Sequence, residues 1–514
     1  MLRPAVRGPD TPLADFSAVR AKTHVDRIAV EPHPMGSAEI RLVEAYITGQ
    51  LTGMGLEPEV QPVDVPDYFG QPGETTTARN IIVTIPGTDP SKAIAFVAHY
   101  DTVPSTPGAN DNSAAVATLV EAARAVMASE RPTNDILLLF TDGEEPNPRF
   151  GAAAFAERHS KFGDIGLVVN LEASGSSGPS LLVETSAPET GIVDRFIAAS
   201  PNPAAFSFVS ATVDLFVGVG TDFDLFKQRA VPGLSFAYLR GSPIYHTERD
   251  SVDSVSLRSL QHHGDHHMTV IREFGSAQLP PAESGADPVF FAVTPLLTVG
   301  YSATVAMALG TFAVAALGAL VWVGLRSKRI ASGALGRGIV VLIAGSMASA
   351  LAVWATWWAL TAVRPTPGLW ESYLYLALMC VAGVAVLSFV GGSVAGPHND
   401  SELSLGIVAV WVVVAAVSSF LIPGFSYLFV WPALGGLVAL AVSWSGRMAG
   451  WLWLVVAVPA VVLSIPALDF FFQMAQPRPG NPDSNLIETA AVVGFLVALI
   501  VGLIVPFLPH RRTG

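Results

Sequence analysis

Three short polar clusters between residues 98 and 145 carry side chains that could do metal chemistry. His99-Tyr100-Asp101 ends the apolar run 94–98, and Asn110-Asp111-Asn112 precedes an apolar helical stretch, 113–127. Asp142-Gly143-Glu144-Glu145 follows the apolar run 136–140. Imidazole nitrogens and carboxylate oxygens are ligands that zinc takes. Strand ends and helix starts are also where α/β folds build their sites. Two adjacent zinc ions would be served by Asp111 as a bridge, His99 on one ion and Glu145 on the other. Glu144 would then remain free to act as a base. Asp111, just ahead of a helix, would lie near its positive end, which favours the ionised carboxylate.

The elements that must position these groups can be read from apolar runs and their stops. Two further runs, 167–169 and 234–238, precede Asn170-Leu171-Glu172 and a loop with Tyr245-His246-Thr247. Ser37 precedes a helix-period stripe, Ile40, Val43, Ile47, Leu51 and Met54, with Gly55 as its stop. Residues 61–76, rich in Pro, Gly and Thr, read as a loop, 80–86 and 92–98 as strands, and 150–159 as a helix. This alternation predicts an α/β fold with a mostly parallel (mixed) sheet sandwiched by helices. Residues 174–180 form a Ser/Gly loop beside Glu172 that either borders the substrate or merely connects. Asp222 reads as a helix cap rather than as a catalytic acid. His262, His263, His266 and His267, among Gln, Gly and Asp, read as the exposed face of a terminal helix.

Composition splits the chain. Its 514 residues are 51% hydrophobic with a mean hydropathy of +0.48, too apolar for a wholly soluble protein. From Pro288 onward there are nine Lys/Arg and six Asp/Glu, which leaves 20 basic and 36 acidic residues before it. An acidic domain of residues 1–275 is therefore followed by a linker, 276–300, and a membrane domain, 301–514, that needs the lipid bilayer. The acidic half repels phosphates, so nucleic acid is excluded as a partner. Seven apolar spans are expected, near 303–325, 338–363, 370–390, 403–422, 425–445, 449–471 and 487–508. Trp354, Trp357, Trp358, Trp370, Trp444 and Trp451 suit interface anchors. The spans hold no cluster of ionisable residues, which argues against a transporter. The one cysteine, Cys380, lies in a span and precludes an intrachain disulfide.

Taken in order, the segments resemble the zinc exopeptidases of the M28 aminopeptidase family, chiefly its membrane-bound branch of endoplasmic-reticulum metallopeptidases and vacuolar membrane proteases. The resemblance covers roughly residues 30–275. It implies two zinc ions, one held by His99 and Glu172, the other by Glu145 and His246, with Asp111 between. It also implies hydrolysis at peptide or protein N-termini with Glu144 as general base. The commoner family pattern has Asp where this chain has Glu172, and either carboxylate is an oxygen ligand for zinc. Asp101 would accept the other ring N–H of His99 and fix its tautomer. Tyr245 would donate to a developing oxyanion. Two alternatives share the scaffold: a single-zinc acyltransferase like glutaminyl-peptide cyclases, and an inactive receptor or scaffold ectodomain.

Loop charge orients the spans, because cytoplasmic loops carry excess Lys/Arg. Arg326, Lys328, Arg329, Arg337, Arg447, Arg511 and Arg512 fall on one side, Arg364 and Arg478 on the other. The first side is then cytoplasmic and the peptidase domain extracytoplasmic. Such placement normally uses an N-terminal signal or anchor, and the sequence shows no apolar run of that kind before residue 30.

Overall fold

The structure, a computed structural model, describes residues 4–66, 75–145, 149–186, 191–213, 220–281, 289–294, 297–330, 334–364, 369–395, 400–444, 452–474 and 476. The chain forms two compact units that part between Gly300 and Tyr301.

The first unit is built on a seven-stranded sheet. Its strands are β1 (Glu59–Pro66), β2 (Thr75–Ile85), β3 (Ala93–His99), β4 (Asp135–Thr141), β5 (Ile165–Ala173), β6 (Leu181–Ser186) and β7 (Gly233–Tyr238), in the order β1-β2-β4-β3-β5-β7-β6. The four inner strands β4, β3, β5 and β7 run parallel, and the flanking pairs are antiparallel. Every residue of β3 and β5 is buried, as expected of strands covered on both faces. Along β3 the side chains divide by parity. Ile94, Phe96 and Ala98 pack with α1 (Ala18–Ile28), α2 (Ala38–Gly53), α3 (Ala115–Met127), α5 (Ile192–Ala199) and α8 (Leu257–Phe274). Ala93, Ala95 and Val97 pack with Phe155 of α4 (Phe150–Arg158) and Phe223 and Phe226 of α7 (Phe223–Lys227). A short α6 (Ser207–Thr212) precedes α7.

Three parts of this unit differ from the sequence reading. Residues 59–66 and 75–85, expected largely as a loop before a strand at 80, form the antiparallel edge pair β1–β2. Val63 and Val65 bury one face of β1, and Pro62 is tolerated because an edge strand has a free side. The four histidines of α8 are buried, none more than 3% exposed, rather than solvated. The helix is wedged between elements on two sides, and at Gly264 a Cβ would lie 2.1 Å from the Phe16 ring. Largely inside the expected linker, β8 (Val289–Thr294) and β9 (Leu297–Tyr301) pair as a two-stranded sheet, and Leu279 and Phe290 belong to the main core.

The N-terminal segment is strapped to the same core. Glu121 of α3, fully buried, accepts from the Ser17 amide at 3.0 Å, Arg20 Nε at 2.9 Å and Arg124 Nε at 2.7 Å. A buried carboxylate is stable only when paired in this way. The two guanidinium groups also hold the main-chain carbonyls of Thr11, Leu13 and Asp15.

Among its described residues the second unit holds the helices α9 (Ala303–Arg326), α10 (Ala334–Val363), α11 (Leu369–Ala395), α12 (Asp400–Leu421), α13 (Pro423–Trp444) and α14 (Leu452–Met474). Among the described residues four helical stretches are long and apolar enough to cross a membrane: Ala303–Arg326, Gly338–Val363, Ser404–Leu421 and Pro423–Trp444. The shorter apolar stretch Tyr373–Val386 falls in the third expected span, and Val458–Met474 overlaps the sixth and runs three residues past it. The seventh, 487–508, lies outside the described residues, as do Arg447, Arg478, Arg511 and Arg512. In α14 Asp469 accepts from Tyr373 Oη and Gln473 Nε2, each at 3.3 Å.

Candidate metal centre

The candidate ligands gather at the carboxyl ends of the parallel strands. His99 is the last residue of β3, Glu144 and Glu145 follow β4, Glu172 lies near the end of β5, and His246 lies in the loop after β7. Asp111 comes from an irregular turn, Ala109–Ala114, non-helical at Asp111 and Asn112, that leads into α3. Gly108 makes this turn possible. Its φ is +64°, and a Cβ there would sit 2.4 Å from Thr102 Cγ2 and 2.6 Å from the Asp111 carbonyl.

Two triads result, joined by one carboxylate. His99 Nε2 lies 3.4 Å from Asp111 Oδ1 and 3.5 Å from Glu172 Oε2. His246 Nε2 lies 3.2 Å from Asp111 Oδ2 and 3.1 Å from Glu145 Oε2. Within each triad the ligand atoms all lie within 4.8 Å of one another. Ligand arms of about 2 Å in a tetrahedral zinc site put neighbouring donors about 3.3 Å apart, close to these separations. Glu144 Oε2 is 4.0 Å from His99 Nε2 and belongs to neither triad.

The charge balance calls for cations. Burial pushes the carboxyls of Glu144 and Glu172 up, Glu144 well above its ordinary value, and takes Glu145 to about 7, with Asp111 adding to the effect there. Burial opposes charge on His99 and His246 too. Yet Glu144 and Glu172 carry His99 well above its usual value, and Asp111 and Glu145 bring His246 to about 10. Asp111 stays below the usual carboxylate range despite burial, because His246 and His99 flank it. Two imidazoles cannot neutralise Asp111, Glu144, Glu145 and Glu172 together. Moreover, Asp111 Oδ2, Glu145 Oε1 and His246 Nε2 are buried without a hydrogen bond, although His246 lies within 3.2 Å of both acids. Close approach without hydrogen-bond geometry, in a dry place, is what a metal position requires. The residues therefore fit zinc.

The surrounding side chains hold this arrangement. Asp101 accepts from the main-chain amides of Glu144 and Glu145, each at 3.2 Å, and so ties the β4 loop to β3. Its main-chain oxygen is 3.1 Å from His99 Nδ1, closer than its carboxylate at 3.5 Å. Asn112 Nδ2 donates to the Leu171 carbonyl and to Glu172 Oε2, and Asn170 Nδ2 to Glu172 Oε1. The Tyr245 ring stacks on the His246 imidazole at 3.8 Å and 17°. His263 Nε2 donates to the Glu172 carbonyl at 3.1 Å, and its Nδ1 lies 2.7 Å from Ser180 Oγ. His262 Nδ1 accepts the Ser180 amide, so two α8 imidazoles pin the end of the 174–180 loop.

Two acids have roles that sequence reasoning missed. Asp222 makes no side-chain cap to α7. It is buried and accepts from Thr141 Oγ1 at the end of β4, and burial lifts it to about 7. Asp250, also buried, accepts from the Asn110 amide, Asn110 Nδ2 and the Asp111 amide. The only sequence signal for Asp250 is an acid shortly after His246, and for Asn110 its place beside Asp111.

Comparison with known proteins places this region. The sequence profile of Peptidase family M28 matches residues 80–271. Endoplasmic reticulum metallopeptidase 1 of Rattus norvegicus is 27% identical over 315 residues, covering 57% of this chain and 35% of the relative. Vacuolar membrane protease of Candida dubliniensis is 32% identical over 186 residues, covering 36% and 20%. The chain thus spans about a third or less of the length of these curated relatives. Among solved structures, a Zn-dependent exopeptidase from Parabacteroides distasonis aligns at TM-score 0.42 and 18% identity, over 51% of this chain and 99% of that one. A glutaminyl cyclase from Bacteroides thetaiotaomicron aligns at 0.42 and 20%, over 50% and 98%.

Proposed function

Residues 80–271 are a peptidase family M28 domain, and on that premise we propose that the chain is a membrane-anchored, zinc-dependent exopeptidase of the aminopeptidase type acting on peptide or protein N-termini. One zinc would be held by His99, Asp111 and Glu172, the second by Asp111, Glu145 and His246. Bound there, zinc would polarise the scissile carbonyl and make water acidic near neutral pH. Glu144 takes the proton from water as its oxygen bonds to the carbonyl carbon. The same carboxyl then gives the proton to the amine as the C–N bond breaks. Asp101 holds Glu144 and Glu145 in place through their amides and keeps the His99 ring turned toward Asp111. Tyr245, packed on His246, supplies a hydroxyl toward the developing oxyanion.

One observation carries this reading: Asp111 offers Oδ1 to one triad and Oδ2 to the other. That favours two-metal hydrolysis over a single-zinc acyltransferase. The purified full-length chain should hold close to two zinc ions, release N-terminal residues from peptides, and lose activity on chelation. A zinc-replete preparation that cleaves nothing in a broad peptide library overturns the reading. Cyclisation of N-terminal glutamine without hydrolysis would assign the acyltransferase instead. The peptidase unit is placed on the extracytoplasmic side, on the strength of Arg326, Lys328, Arg329 and Arg337 in one short stretch after the first span.

A further inference from the structure

The two metal positions are built differently. His99 and Glu172 sit on inner strands, with β3 hydrogen-bonded between β4 and β5 and β5 between β3 and β7. His246 has no strand to hold it. It lies in a loop, in the left-handed region with φ 57°, and its side chain is 19% exposed. Its distance from Asp111 must therefore be set by whatever joins that loop to the Ala109–Ala114 turn.

Asp250 is that join. Its Oδ1 accepts from the Asn110 amide at 2.8 Å and Asn110 Nδ2 at 2.7 Å, its Oδ2 from the Asp111 amide at 3.1 Å, and its carbonyl from the Ala109 amide at 3.1 Å. Asn110 completes the clasp by donating to Ser254 Oγ and accepting from Tyr238 Oη at the end of β7, each at 2.8 Å. Turns within the loop carry the constraint back to His246, since the Asp250 amide donates to the Thr247 carbonyl and the Thr247 amide to the Ile244 carbonyl. On its other side the Ala109–Ala114 turn is tied to β5 independently, by Asn112 Nδ2 to the Leu171 carbonyl and Glu172. Cutting the Asp250 tie frees the His246 loop and leaves Asp111 against Glu172.

We propose that Asp250 is a positioning residue that sets the Asp111–His246 separation and so governs occupancy of the Asp111–Glu145–His246 position, leaving the His99–Asp111–Glu172 position unaffected. The proposal rests on the two-position reading above. Asp250→Asn keeps the shape but turns an NH2 group toward amide donors, which breaks at least one of the bonds. The test titrates full-length wild type, Asp250→Asn and His246→Ala with zinc at buffered free concentrations and counts ions per chain. Asp250→Asn should weaken one ion by about ten- to a hundredfold, as losses of supporting hydrogen bonds around ligands do, and leave the other unchanged. Amide exchange of the zinc-free protein should quicken in 105–114 and 245–252 while β3 and β5 hold. Equal weakening of both ions, or of neither, overturns the proposal. If Asp250→Asn does not fold, Asn110→Ala, which removes two of the clasp's donors and its acceptor, must give the same one-ion loss. If wild type saturates with one ion, the two-position reading fails. The clasp then stands if Asp250→Asn weakens that ion as His246→Ala does, and falls if it does not.

Discussion

His267→Leu should stabilise the peptidase unit, and more at acid pH than at neutral pH. The His267 ring is fully buried, stacks on Phe96 of β3 at 3.7 Å and 18°, and has no hydrogen bond at either nitrogen. An unsatisfied buried donor costs about 1–3 kcal/mol, and leucine fills a similar volume without one. Burial also pushes the imidazole pKa down to about 3. An unfolded histidine takes up a proton below about pH 6.5, whereas the folded one stays neutral almost to pH 3. The folded state therefore keeps its full share of stability above pH 6.5 and loses it progressively as pH falls from there toward 3. At pH 5 this one residue has lost about 2 kcal/mol. Hydrogen exchange of β3 peptides in the full-length protein reads the opening free energy of this unit. The variant should exceed wild type by about 1–2 kcal/mol at pH 7.5, with the gap wider by about 2 kcal/mol at pH 5. A gap of the same size at both pH values would refute the burial argument for this imidazole.

Glu144→Gln should retain zinc and lose turnover by about a hundred- to ten-thousandfold, because an amide cannot carry the proton. Glu145→Ala should lose zinc together with activity, and zinc analysis beside a peptide assay separates the two cases. If Glu144→Gln emptied the centre and Glu145→Ala did not, the roles of the two glutamates would be reversed. Protease added to intact cells should digest the peptidase unit and spare residues 326–337, and full protection until the membrane is breached would reverse the orientation.

The parts of the fold that could be read in the sequence were those whose signal is local. Apolar runs ending in polar residues marked β3, β4, β5 and β7, and the same junctions brought His99, Asp111, Glu144, Glu145, Glu172 and His246 into one place. Other features depend on partners distant in sequence. The β1 edge carries Pro62 and Pro66 among its valines, which masks the strand signal, and it is made a strand by pairing with β2. The α1 stripe of Ala18, Ala21, Val25 and Ile28 is thin, and the helix is fixed by Ser17, Arg20 and buried Glu121. Histidines spaced i, i+4 look the same on a wet face as on a dry one. Only the Phe96, Phe196 and Phe236 rings around His266 and His267 make the face dry. Asp222 and Asp250 look like ordinary turn and cap residues until Thr141 and Asn110 meet them.

The clasp joins residues 139 apart in the chain, from Asp250 back to Asp111. Synthesis runs in one direction, so a nascent chain that has passed Glu172 owns the first triad but has neither His246 nor Asp250. Contacts between such distant segments are also slow to form. On the two-position reading proposed above, capacity to hold a second ion thus arrives only once the chain beyond β7 has been made and has docked. By this order of assembly, an unfinished chain is a scaffold in which only the His99–Asp111–Glu172 cluster can be complete, and the Asp111–Glu145–His246 cluster closes last.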